Sequence, residues 1–236
     1  MMLTSDLQRP PLSRAVAWRE VGLAVVVLWS VLGGACFFLG AQSIYDRWGT
    51  SLNATLVLDV VFLIGCLAVI GFVFWRQRRQ GEGIVELGWG RPVRMPVIVI
   101  AVVYGLAWTA MSYMRGGDPL AFPWQRPIMM AIGLVLAFAE EIAVRGFILD
   151  RLARCGTSRI IQIVVTAGIM AVYHGVVGHN VWPSYMVSSF VLFGVLSVIY
   201  VYGGRSLTPV YIAHAMAHFL GDPALMQGVL YGVGAG

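Results

Sequence analysis

The 236-residue chain has no lysine: all 16 of its basic residues are arginine. Charge of either sign is scarce, at 11% of residues, against 59% hydrophobic residues and a mean hydropathy of +0.81. That balance excludes an ordinary soluble domain and fits a polytopic helical membrane protein. The net charge of +5 is therefore no sign of nucleic-acid binding, because the arginines fall mostly in short loops, as a topology signal does. Cysteine is nearly absent. Cys36, Cys66 and Cys155 are far apart and form no CxxC, which argues against a disulfide framework or a cysteine metal site. Cys36 and Cys66 fall mid-span and read as small buried hydrophobes. No cleavable signal peptide is evident, since the first 20 residues are polar and arginine-bearing and the next apolar run is long enough to span. Several protease signatures are missing too: HExxH, the GxSxG serine elbow and a GxGD-type aspartate pair.

What the chain has instead is a succession of long apolar runs. They predict an all-α polytopic membrane protein with spans at Val21–Ala41, Leu52–Trp75, Met95–Tyr113, Pro127–Leu149, Ile160–Gly178 and Ser184–Tyr202. A last run, Leu207–Val233, is broken at Gly221-Asp222-Pro223 into two pieces that form a tight hairpin or a tilted pair. Seven or eight membrane segments are expected in one domain, 1–236, with residues 1–20 as a cytoplasmic segment, read as a helix on the membrane surface. Placing the N-terminus in the cytoplasm puts twelve arginines inside and three outside (Arg47, Arg115 and Arg126), a positive-inside bias. Trp48, Trp124 and Trp182 at outer span ends fit an aromatic belt. The arginine-only basic set and short loops suggest a bacterial inner membrane.

The stretch from Phe138 to Phe147 interrupts one of these runs with charge. Glu140, Glu141 and Arg145 stand where an ionised side chain costs about 2.5–3.5 kcal/mol to insert, so such residues tend to mark function. On a helix Glu141 and Arg145 are an i,i+4 pair on one face, and Glu140 is turned about 100° away. One carboxylate has a built-in partner and the other has none. Three of the four histidines fall in apolar runs as well: His174, and the i,i+4 pair His214 and His218. His179 lies in an outer loop and reads as solvated. At about 1.5 Å per residue, Glu140, His174, His214 and His218 reach similar depths from three different spans. Taken singly, each has a bland reading. A membrane histidine often only bonds a neighbouring helix, Glu141–Arg145 can be a structural clamp, and Asp59 in the second span reads as an interhelical hydrogen-bonding group.

Together these residues resemble the three motifs of the CPBP family, which comprises CAAX proteases and bacteriocin-processing, Abi-type proteins. The pattern is EExxxR, matched by Glu140, Glu141 and Arg145; then FxxxH, matched at His174; then HxxxN or HxxxD, matched at His214. The resemblance runs from about Pro127 to Asp222, and the first three spans carry no motif. There are two departures: Met170 stands where the aromatic of the second motif would be, and His218 where an Asn or Asp would end the third. The first is expected to be a packing contact. At the second, a histidine can still donate to an oxyanion, but its protonation matters.

The resemblance implies a catalytic core in the last four or five spans. It also implies an intramembrane endopeptidase acting on a membrane-associated or lipidated protein or peptide. Glu140 would be the general base toward water, with His174 holding and polarising that water; His214 and His218 would stabilise the oxyanion, and Glu141 and Arg145 would support them. The alternative role for Arg145 is contact with substrate. No cofactor is expected; a zinc version with Glu and His ligands is less favoured. The expected partners are a membrane protein or peptide substrate and the bilayer, with no nucleic acid. The rival readings are a non-catalytic membrane scaffold or bacteriocin-immunity protein, and a proton-coupled transporter.

Overall fold

A computed structural model describes residues 9–31, 33, 52–114, 120–177 and 182–221; these are helical apart from turns and short connections and contain no strand. Cys36, Arg47, Trp48, Arg115, His179 and the expected break at Gly221-Asp222-Pro223 fall wholly or partly outside the described residues, as do the ends of the first and last apolar runs. The helices are α1 (Arg14–Val27), α2 (Leu52–Arg79), α3 (Met95–Tyr113), α4 (Gln125–Glu141), α5 (Leu149–Arg154), α6 (Arg159–Val177), α7 (Trp182–Tyr202) and α8 (Leu207–Phe219). Between α4 and α5 the chain does not break. It passes through a π-helical stretch, Ile142–Ile148, so that Gln125–Arg154 is one helix of 30 residues.

Among the described residues, three helices are long and apolar enough to cross a membrane: Leu52–Arg79, Gln125–Arg154 and Pro183–Tyr202. Met95–Met111 and Arg159–Gly175 are apolar but shorter. With no water in the hydrocarbon, a helix is the one open-ended segment that satisfies its own backbone there, which is why these apolar runs are wound as they are. The expectation of seven or eight spans is not reproduced at this length criterion. The first run also begins earlier than expected. Residues 14–20 are no separate surface helix but the first turns of α1, which the Ser13 hydroxyl starts by accepting from the Val16 N–H at 3.4 Å. Glu20 in those turns is buried against Arg76 at the end of α2.

Helix α8 is the centre of the arrangement, packed on α3, α4 and α7. Two glycines set how close its neighbours come. A Cβ on Gly105 of α3 would lie 2.8 Å from the Ala213 carbonyl, and one on Gly133 of α4 would lie 2.8 Å from the His218 Cβ. Small residues at such crossings let membrane helices approach through their backbones.

The arginine-rich end is closed by the 80–94 connection, which the sequence offers only as a loop. Its Gly88 carbonyl accepts the Leu207 N–H at 2.9 Å, serving a donor that the first turn of α8 leaves unpaired, and its Arg91 carbonyl accepts the Ser206 hydroxyl at 3.2 Å. Trp89 packs edge-on against Phe138 of α4 and Tyr211 of α8, at 5.1 and 5.4 Å between ring centroids. Beside it lies a buried polar knot. Arg151 is fully buried, 2.7 Å from Asp150 and from Gln80 Oε1, with its guanidinium 4.3 Å above the Phe147 ring. Arg154 reaches Glu82 at 2.7 Å, and Arg9 pairs with both Glu82 and Asp150. The Leu12 N–H on the Arg154 carbonyl, at 3.1 Å, straps the N-terminal segment across the same corner.

Candidate active site

The last turn of α4 puts Glu140 and Glu141 side by side in the interior, at 2% and 1% exposure, with Arg145 at 0% one turn on. The expected i,i+4 pair forms, with Arg145 Nη1 donating to Glu141 Oε1 at 3.1 Å. Here, though, the helix has widened to π geometry, a feature that recurs at functional sites. The rest of the guanidinium turns inward: Nη2 donates to the Phe193 carbonyl of α7 at 2.7 Å, and the group lies 4.9 Å above the Phe193 ring. Two of its nitrogens are thus engaged by the protein, while Nε has no hydrogen-bond partner among the described residues.

Glu141 has a second partner that helical spacing does not reveal. His214 of α8 places Nδ1 2.9 Å from the same Oε1. A carboxylate beside an arginine only accepts, so the histidine Nδ1 donates, and while the ring is neutral its Nε2 accepts. That nitrogen lies 3.8 Å from Glu140 Oε2 and 3.3 Å from Nε2 of His218. Arg145, Glu141, His214 and His218 therefore form one hydrogen-bonded line, and Glu140 stands beside it. Glu140 itself is hydrogen-bonded by the Tyr173 side chain, while its Oε2 has no hydrogen-bond partner among the described residues. The two carboxylates differ in the kind of partner rather than in having one: Glu141 Oε1 accepts from Arg145 and His214, Glu140 is bonded by Tyr173, and Oε2 of each has no hydrogen-bond partner among the described residues.

His174 does not join this line. Its Nδ1 donates to the Met170 carbonyl at 2.8 Å, one turn back on α6, which leaves Nε2 as an acceptor. No hydrogen bond links it to Glu140 among the described residues. The ring of Phe193 packs on both histidines, with centroids 4.8 Å from His174 and 5.3 Å from His214. Of the four residues expected at similar depth, the structure brings Glu140, His214 and His218 together directly, with Glu141 and Arg145 beside them. His174 meets them through Phe193 and its neighbour Tyr173. Met170 matters through its backbone, so its side-chain identity is not what holds the histidine. Aromatic faces around His174 come from Tyr173, Tyr185 and Phe193.

Tyr173 and Phe193 are the two residues that spacing misses. Tyr173 sits next to a histidine already singled out, and a phenol in an apolar run is a usable signal. Phe193 is one of many apolar residues in α7, a helix with no motif, and nothing in the sequence marks it. Among the described residues, no three His, Cys, Asp or Glu side chains are grouped to hold a metal ion.

A long membrane-type helix carrying a buried glutamate pair, lined by histidines from two others, defines a class: helical membrane proteins with an acid–histidine interior site. Residues 122–220 match the family model described as Type II CAAX prenyl endopeptidase Rce1-like, which is consistent with the CPBP family that the motifs resemble. The match begins just before α4 and ends just after α8, so it holds every residue of the site. Helices α1–α3 lie outside it. No curated protein and no solved structure matches the chain.

Proposed function

We propose that the chain is an intramembrane endopeptidase that uses Glu140 as its general base. The observation that carries this reading is a buried carboxyl, Glu140, that no arginine reaches, beside a neighbour whose Oε1 holds both Arg145 and His214; Oε2 of each glutamate is unpaired among the described residues. Packing alone gives no reason to keep an ionisable carboxyl that no arginine reaches inside a membrane domain, where such groups are expensive. In the reaction, Glu140 takes a proton from water, the water oxygen bonds to the scissile carbonyl carbon, and the C–N bond breaks as the proton passes to the departing amine. Glu141 orients the His214 ring, much as a buried carboxylate orients a catalytic imidazole, and Arg145 holds Glu141. The oxyanion role expected for His214 and His218 requires one of them to turn an N–H toward substrate, since here the His214 Nδ1–H is held by Glu141 and the two Nε2 atoms face each other at 3.3 Å. His174, with Nε2 left as an acceptor, is the second group expected to hold that water.

The Rce1-like match supports a CAAX-type protease; the substrate class remains a membrane-associated or lipidated protein or peptide, met within the bilayer. The distribution of arginines supports seven or eight spans with a cytoplasmic N-terminus, in a bacterial inner membrane. We favour a metal-free reaction; loss of activity with a chelator, restored by zinc, would replace it with the zinc version. The test of function compares membrane-protein termini by mass spectrometry in cells carrying the wild-type chain or Glu140→Gln. Termini present with wild type and lost with Glu140→Gln are expected, and they identify the substrate. Identical termini with a folded variant would overturn proteolysis and leave a scaffold.

A further inference from the structure

His214 offers one nitrogen to two neighbours. Its Nε2 lies 3.3 Å from His218 Nε2, one turn along α8, and 3.8 Å from Glu140 Oε2 across on α4. The other nitrogen, Nδ1, is committed to Glu141 at 2.9 Å. Neutral His214 therefore carries its proton on Nδ1, and the contact with His218 is a hydrogen bond when His218 supplies the proton from its own Nε2. Protonating His214 on Nε2 would set two N–H groups against each other across that contact, unless His218 changed tautomer. The same protonation would give His214 a donor aimed at Glu140.

We propose that His218 is a positioning residue whose Nε2–H, held on Nε2 of His214, keeps that nitrogen from taking up a proton and pairing with Glu140. Glu140 thereby stays available as a base. This rests on the reading of Glu140 given above. It differs from the oxyanion role expected for His218, because in this arrangement the His218 proton points at His214. The groups that bear on the contested nitrogen are Glu140 and Glu141 from α4, Arg145 from the π stretch, and Tyr173 and His174 from α6. Helix α7 contributes the uncharged ring of Phe193. The titratable side chains of α3 are Tyr104 and Tyr113, whose hydroxyls are spent on the Leu192 and Leu220 carbonyls. Gly133 gives the His218 ring its room, since a Cβ there would come within 3.3 Å of His218 Nδ1.

The experiment is a pH titration of the full chain in detergent with 15N-labelled histidine, which needs no substrate; four histidines in the chain keep the spectrum assignable by single replacement. In wild type, His214 is expected to keep an unprotonated Nε2 between about pH 8 and pH 6, the range in which an ordinary histidine charges. In His218→Phe, which keeps an aromatic ring and removes the donor, His214 is expected to charge within that range. His218→Leu serves if phenylalanine does not fit beside Gly133. His218→Asn, whose amide can donate, is expected to restore the wild-type titration, which a merely structural role would not produce. Equal titration of His214 in wild type and His218→Phe, or a His214 already charged in wild type at pH 8, would overturn the proposal. The termini comparison with Glu140→Gln separates the two failures: termini independent of Glu140 would remove the purpose assigned to the hydrogen bond, while the titration still tests the bond itself.

Discussion

One helix, Gln125–Arg154, carries two buried charged clusters, and they are built on opposite plans. At its arginine-rich end, Arg9, Arg151 and Arg154 meet Glu82 and Asp150, so that each acid touches at least two arginines. Further in, two acids, Glu140 and Glu141, share one arginine, and that arginine reaches only Glu141. The first cluster has cations to spare and ties three parts of the chain together: the N-terminal strap, the start of the 80–94 connection and α5. The second is short of a cation and leaves Oε2 of both glutamates without a hydrogen-bond partner among the described residues. On the function proposed above, the first network serves the fold and the second the reaction, and they differ in the balance of acids against arginines. Burial is common to both, so burial does not distinguish them, whereas the balance of partners does.

That comparison can be broken by substitution. Glu140→Gln is expected to lower proteolysis by about 10²–10⁴-fold, the usual worth of a general base. Its thermal unfolding in detergent should be unchanged or slightly raised, because the amide keeps the shape and removes an ionisable group that no arginine reaches; a clear loss of stability would make Glu140 a structural residue. Arg151→Ala should do the reverse. Removing one partner of a buried ion pair costs about 3–5 kcal/mol, so the melting temperature should fall while the remaining folded fraction keeps its specific activity. Glu141→Gln lies between the two plans. It leaves His214 without its orienting carboxylate, and a loss of about 10–100-fold in activity is expected, measured as cleavage at matched folded protein. The smallest effect is expected from Gly133→Ala. Crowding His218 costs about 1–3 kcal/mol if nothing moves, and a shift in the unfolding midpoint checks it; no shift would mean that α4 and α8 separate easily.

Local periodicity carried a good part of this into view. Glu141 and Arg145 meet because they are four residues apart, and His214 and His218 meet for the same reason. The apolar runs at Leu52, Met95 and Ile160 are helices close to where hydropathy puts them. What spacing along one helix does not carry is the rotation of that helix against the next. Glu141 bonding His214 depends on how α8 is turned toward α4, and Phe193 enters the site only because α7 presents its ring and carbonyl there. The π stretch escaped too, since the residues Ile142–Ile148 are ordinary helix formers apart from Gly146, and their widening follows from packing. The early start of α1 was hidden by composition: arginines and a glutamate read as surface until Glu20 is seen buried against Arg76.

The tie between Gly88 and Leu207 reaches further than one hydrogen bond. The motif-bearing segment borrows the cap of its central helix from a part of the chain with no motif, as it borrows from α3 the wall that Gly105 lets come close. Helices α1–α3 are therefore no removable prefix. A core cut out at residue 122 would lose one flank of α8, the closure of its start and the strap over α5. Exchange of parts between such proteins has to move the frame along with the motifs, and a swap designed on the motifs alone would transplant the chemistry without the geometry that holds it.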